Sequence, residues 1–143
     1  MRILASVALL TLAITTGCAA DDSAKVTGTI TASKSLKSFD KLALEVQIFE
    51  YDPRIADKAA DLVDKLVVKD FSHTEGKETV EKIELGAKAK IKAGMSYYIT
   101  VFVLDGKDRT HTADLAHAPE GFAKVLTDGQ PREIKGTLRS VKK

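Results

Sequence analysis

An all-β fold is the class this sequence predicts: a small two-sheet sandwich of about seven to eight mostly antiparallel strands, with one short helix or structured loop near residues 54–60. Three observations carry it. Residues 41–51 alternate, with Leu42, Leu44, Val46 and Ile48 on one face and Lys41, Ala43, Glu45 and Gln47 on the other. That period of two is the pattern of a half-buried strand. Residues 97–104 alternate as well, Tyr97, Ile99, Val101 and Val103 against Tyr98, Thr100, Phe102 and Leu104. Apolar on both sides apart from Thr100, this run belongs in the middle of a sheet. Turn pairs recur between the β-rich runs, at Glu75-Gly76, Ala93-Gly94, Asp105-Gly106 and Asp128-Gly129.

The start of the chain stands apart from that fold. Arg2 precedes an apolar and small run of twelve residues, Ile3 to Ile14, which leads into Thr15-Thr16-Gly17-Cys18. A positive residue, an apolar stretch and a small-residue cleavage site describe an export signal. The run is too short to span a bilayer as a helix, which takes ~20 residues. Cys18, the single cysteine, directly follows Gly17 and gives the signal the form found in bacterial lipoproteins. On this reading residues 1–17 are the signal peptide, Cys18 is acylated, residues 18–24 are a polar tether and residues 25–143 form the domain. A plain signal peptide with Cys18 as a bystander is the competing reading, although a lone cysteine cannot form an internal disulfide in an oxidising compartment. Thr15 stands where such signals usually have Leu. By the same resemblance several acyl chains anchor firmly, at ~0.8 kcal/mol per buried methylene. By that resemblance Ala19, in place of the aspartate that retains lipoproteins at the inner membrane, favours the outer membrane.

After cleavage about 126 residues remain, enough for one domain with a core and too few for two. Twenty-one basic residues then balance twenty acidic ones. Nothing in that balance calls for nucleic acid, and the short basic tail at 139–143 reads as a solvated chain end. The elements follow in order. Residues 26–31 form a first strand and 41–51 a second. Residues 52–68 are ambiguous: Asp52-Pro53 suits the start of a helix, and Ile55, Ala59, Leu62, Val63 and Leu66 fall at helical spacing, but Leu66-Val67-Val68 favours strand. A short helix or loop at 54–60 followed by a strand at 66–71 accommodates both. Weaker strands are expected at 79–85, 87–91, 122–126 and 132–141, with the strong one at 97–104 between them. The opening Val26-Thr-Gly-Thr-Ile30 is echoed by Ile134-Lys-Gly-Thr-Leu138. Either this is coincidence, or the first and last strands are neighbours, each using glycine at a close approach.

Chemistry-bearing sets are sparse. With Cys18 acylated, cysteine–histidine catalysis is excluded, and neither a Gly-rich phosphate loop nor a Gly-Xaa-Ser-Xaa-Gly elbow is present. His111, Asp114 and His117, with His73 elsewhere, are the best metal candidates. Their spacing would align them on a helix, but residues 109–119 read as a loop or strand end, and in a strand Asp114 would face away from His111. No metal and no cofactor are assigned. Asp52, Asp57, Asp61 and Asp64 read as the wet face of a short helix. Nothing supplies a nucleophile, a base and an orienting group together, so the chain reads as non-enzymatic.

The opening Val-Thr-Gly-Thr-Ile strand leads into Leu42-Ala-Leu-Glu-Val-Gln-Ile-Phe-Glu50, then Ala56-Asp57 and Ala59-Ala60. Tyr97-Tyr-Ile-Thr-Val101 and Lys124-Val-Leu-Thr-Asp-Gly-Gln-Pro131 follow. Together these resemble the YbaY/YscW-like lipoproteins, the type III secretion lipoprotein chaperones or pilotins, over most of residues 26–141. The segment Leu36-Lys-Ser-Phe-Asp40 departs from the proline–glycine turn usual there. The resemblance implies a small β-sandwich on the periplasmic face of the outer membrane, helping a secretin ring reach and assemble in it. The leading expectation is thus a lipid-anchored envelope protein that binds another protein and assists assembly of an outer-membrane complex. The alternative is a periplasmic ligand- or metal-binding β-sandwich using residues 111–117.

Overall fold

The structure, a computed structural model, describes residues 22–115 and 122–141. Its strands are β1 (Val26–Ala32), β2 (Phe39–Tyr51), β3 (Asp61–His73), β4 (Thr79–Leu85), β5 (Ser96–Asp105), β6 (Asp108–Leu115), β7 (Phe122–Val125) and β8 (Glu133–Ser140). The alternation read from residues 41–51 is realised in β2, where Leu44, Val46 and Ile48 are fully buried. Each such side chain contributes roughly 1.5–3 kcal/mol relative to exposure. β5 turns Tyr97, Ile99, Val101 and Val103 into the same core and pairs with β2, β6 and β7. It is the interior strand that its two apolar faces predict.

All eight strands belong to one sheet, ordered β3-β2-β5-β6-β8-β1-β4, with β7 beside β5. Every pairing is antiparallel except β1 with β8. The sheet curls until its edges, β3 and β4, meet again. At one end of that seam His73 Nδ1 lies 3.0 Å from Thr79 Oγ1. At the other, the Gly86 N–H donates to Asp64 Oδ2 at 2.6 Å. The result is a nearly closed barrel rather than the expected two-sheet sandwich. Alternation says which side of a strand is apolar. It does not say whether the facing side chains come from a second sheet or from the far wall of the same one. The echo between first and last strands does mark neighbours: Gly28 faces Ile134 and Ile30 faces Gly136 in the register. A Cβ on Gly28 would run into the Ile134 carbonyl, and one on Gly136 would sit 2.8 Å from Leu115 Cδ2.

Two further expectations are corrected, and one alternative is decided. No helix occurs among the described residues; of the short helix and the structured loop weighed for 54–60, the loop forms. The Asp52 carboxylate, instead of capping a helix, accepts bonds from the Arg54 N–H, Nε and Nη2, and so short a segment cannot offset the cost of helix nucleation. Residues 87–91 are not a strand; they bond to residues 22–24 around a single Ser23–Lys90 bridge and pair with none of the eight strands. Residues 109–115, expected as loop or strand end, lie in β6, held between β5 and β8.

Candidate partner-binding face

The period of two that sends Ile48 and Glu50 inward turns Phe49 and Tyr51 outward at the end of β2. Tyr98 of β5 lies opposite Phe49 in the register. Their rings stack with centroids 5.1 Å apart and planes 17° apart. Tyr51 packs against Tyr98 at 5.9 Å, and Phe122 of β7 meets it edge-on at 5.2 Å. Leu62 of β3 extends the row, paired with Phe49. Burial, and then the neighbouring Tyr51, push the Tyr98 phenol above its ordinary pKa, so it stays neutral. Beneath the cluster, Thr100 carries a buried hydroxyl with no hydrogen-bond partner among the described residues.

The β2–β3 loop walls this face. Bonded first by the Arg54 side chain and then by its N–H, Asp52 is held down to a pKa of about 2, so the clamp stays charged at neutral pH. Between loop and sheet lies a cleft of about 320 Å³ whose mostly apolar lining, with Tyr51, Ile55, Tyr98 and Phe122, also includes Asp52 and Lys58. Ile55, Leu62 and Phe122 are 51%, 52% and 43% exposed, which makes a continuous apolar patch rather than scattered single residues. A smaller cleft of about 240 Å³ between β7 and β8 is lined by Leu115, Pro131 and Ile134 as well as Lys124, Glu133 and Lys135, and no aromatic side chain lines it.

Behind the face, the barrel interior ends in a polar knot. Tyr97 Oη donates to Glu50 Oε2 at 2.6 Å, Lys92 Nζ donates to Oε1 at 2.7 Å, and the Lys92 N–H donates to Tyr97 Oη at 2.9 Å. These bonds fix the ends of β2 and β5, and through them Tyr51 and Tyr98. At the far end, Phe39 lies between two imidazoles, 4.8 Å from His111 and 5.7 Å from His73.

The residues singled out in the sequence are not brought together. His111 is buried on the inner face of β6, with Nδ1 2.9 Å from Thr110 Oγ1, so it is not in the solvent-facing loop expected for it. Asp114 points to the outer face and accepts from Arg139 Nε at 2.6 Å. His117 and Cys18 lie outside the described residues. Among the described residues no group of three His, Cys, Asp or Glu side chains could hold a metal. The Asp52-to-Asp64 series is likewise dispersed, Asp61 pairing with Lys58 and Asp64 with the Gly86 amide. The aromatic face went unread in the sequence, although one signal was present. The outward parity of β2 runs Lys41, Ala43, Glu45, Gln47 and then changes to Phe49 and Tyr51.

No family model matches this chain, and no curated protein matches it. Among solved structures it is similar to an alternative pilotin from the type II secretion system of Vibrio cholerae, with a TM-score of 0.56. The two share 20% identity over 83% of this chain and 97% of that one. The fold is therefore pilotin-like.

Proposed function

We propose that this chain is a non-enzymatic, lipid-anchored envelope protein that binds another protein through the aromatic face and assists assembly of an outer-membrane complex. The carrying observation is the aromatic row of Phe49 stacked on Tyr98, with Phe122 edge-on to it, beside exposed Ile55 and Leu62. Rigid aromatic anchors next to a preformed apolar cleft are the composition of binding hot spots. The pilotin-like fold supports the same reading, as does the sequence resemblance to the YbaY/YscW-like lipoproteins. Anchoring through Cys18 places the domain at the periplasmic face of the outer membrane.

The test is a photo-reactive residue at Phe122, compared with one at Lys82 on the outer face of β4, in intact cells. Cross-linking to a subunit of an outer-membrane complex from position 122 and not 82 is expected. Tyr98→Ser with Phe122→Ser should weaken that association by roughly thirtyfold or more, the scale of losing a hot spot, while the melting temperature stays within a few degrees. Equal cross-linking from both positions would refute the assignment of this face.

A further inference from the structure

The tether does not leave the barrel at a neutral place. Asp22 O accepts the Ile91 N–H and the Ala24 N–H donates to Ala89 O, both at 2.8 Å. Between them Ser23 bridges Lys90, and Arg132 Nη1 donates to Ser23 O at 2.7 Å. The chain is thus stitched to the β4–β5 loop, residues 86–95, which carries Lys88, Lys90 and Lys92 at alternate positions and no acidic residue. All three lysines are exposed. Lys92 is held by Glu50, whereas among the described residues neither Lys88 nor Lys90 has a carboxylate partner. Of the nearby acids, Asp52 is paired with Arg54 and Asp61, at the start of β3, with Lys58, while Asp57 of the β2–β3 loop is exposed. At the opposite pole Glu75 and Glu78 bracket Lys77, and Asp105 and Asp108 bracket Lys107, while Lys34 and Lys37 lie on the acid-free β1–β2 loop, so it is the attachment of the tether, not lysine content, that distinguishes the two poles.

Four residue-to-residue steps of chain, at most about 14 Å when extended, separate Asp22 from Cys18. We infer that this pole lies on the membrane surface, with Lys88 and Lys90 against the headgroups of anionic phospholipid. The inference rests on the acylation of Cys18 in the function proposed above. An anchor that short keeps the lysine loop close to the surface, where the potential of anionic lipids is felt over a Debye length of about 8 Å. Each lysine in that layer favours the surface by about fivefold. The same geometry puts the β2–β3 loop, and with it one wall of the aromatic cleft, on the membrane side of the domain.

The experiment uses the mature acylated protein purified from membranes, with a fluorophore on Ala87→Cys or, at the far pole, on Lys77→Cys. Each is reconstituted into phosphatidylcholine vesicles carrying brominated lipid, with or without phosphatidylglycerol. Mass spectrometry of the N-terminal peptide comes first, and a free Cys18 thiol there overturns the anchor and this inference with it. With acylated protein, the probe at 87 should be quenched and that at 77 should not. Quenching should increase with phosphatidylglycerol, and Lys88→Glu with Lys90→Glu should remove that increase. Similar quenching at both poles would refute the orientation. Quenching at 87 that is indifferent to phosphatidylglycerol and to the double substitution would refute the lysine–headgroup contact.

Discussion

Glu50 and His111 sit at opposite ends of the barrel interior, and each ties stability to pH over its own window. Burial pulls the Glu50 carboxyl up, but hydrogen bonds from Lys92 and Tyr97, with the charge of Lys92, outweigh it and leave the pKa below the ordinary value. A depressed carboxyl contributes stability that is fully present above its unfolded pKa and is lost as pH falls through the folded one. Glu50→Gln should therefore cost about 1.5–3 kcal/mol at neutral pH, the range for a hydrogen bond to a charged group, and should flatten the acid limb of a plot of melting temperature against pH. For His111, burial first and then the charge of His73 lower the pKa, so the folded protein holds it neutral. Below the unfolded value of about 6.5, the unfolded chain gains a proton that the folded one refuses, and stability declines until the folded pKa is reached. A melting temperature that sags just below pH 6.5 is expected, and His111→Gln should abolish the sag. Parity along the strand announced Glu50, which follows Leu44, Val46 and Ile48 on the inward register. Its partner Lys92 comes from a loop, and no local pattern linked the two.

At the scale of an element, β2 offers the sharpest test. Val46 is fully buried whereas Gln47 points outward, opposite Thr100 and Lys65. Val46→Asp should unfold the domain, since an unpaired carboxylate in the core costs several kcal/mol. Gln47→Asp should stay within about 0.5 kcal/mol of wild type in urea denaturation, as surface changes do. Equal effects would mean that the register is wrong. Strands such as β2 and β5 were legible because their own residues carry the alternation. β6 was not, because its inward positions are His111, Ala113 and Leu115, of which only Leu115 is a strong hydrophobe. The early start of β3 was hidden for another reason: Asp61 to Lys65 are ordered by pairing with β2, not by a pattern of their own. Residues 87–91 mislead in the opposite sense, since Lys88, Lys90 and Lys92 alternate with Ala89 and Ile91 like a strand but meet no neighbouring strand beyond Ser23.

For the whole molecule, the sequence yields the all-β class and the adjacency of first and last strands, but not closure. Closure depends on Asp64 reaching Gly86 and His73 reaching Thr79, contacts between residues whose own segments look unremarkable. Attachment is tested by Cys18→Ala, which should abolish acyl labelling and shift the chain from the membrane to the soluble fraction. Among the described residues no helix is long and apolar enough to cross a membrane, so continued sedimentation with membranes would point to another attachment. The parallel pairing of β1 with β8 also has a mechanical side. If the chain is anchored at Cys18 and held by a partner as proposed, it bears force whenever that partner moves. Tension on the tether first peels the few bonds that hold residues 22–24, then reaches β1. There it runs along the strand axis, with β4 bonded on one side and β8 on the other. Both ladders are loaded in shear, so their bonds must fail together rather than one by one. Since forced unfolding is governed by the unfolding barrier rather than by equilibrium stability, β1 would hold under a load applied through the proposed anchor, while the seam between β3 and β4, which no backbone ladder closes, is where the barrel would part.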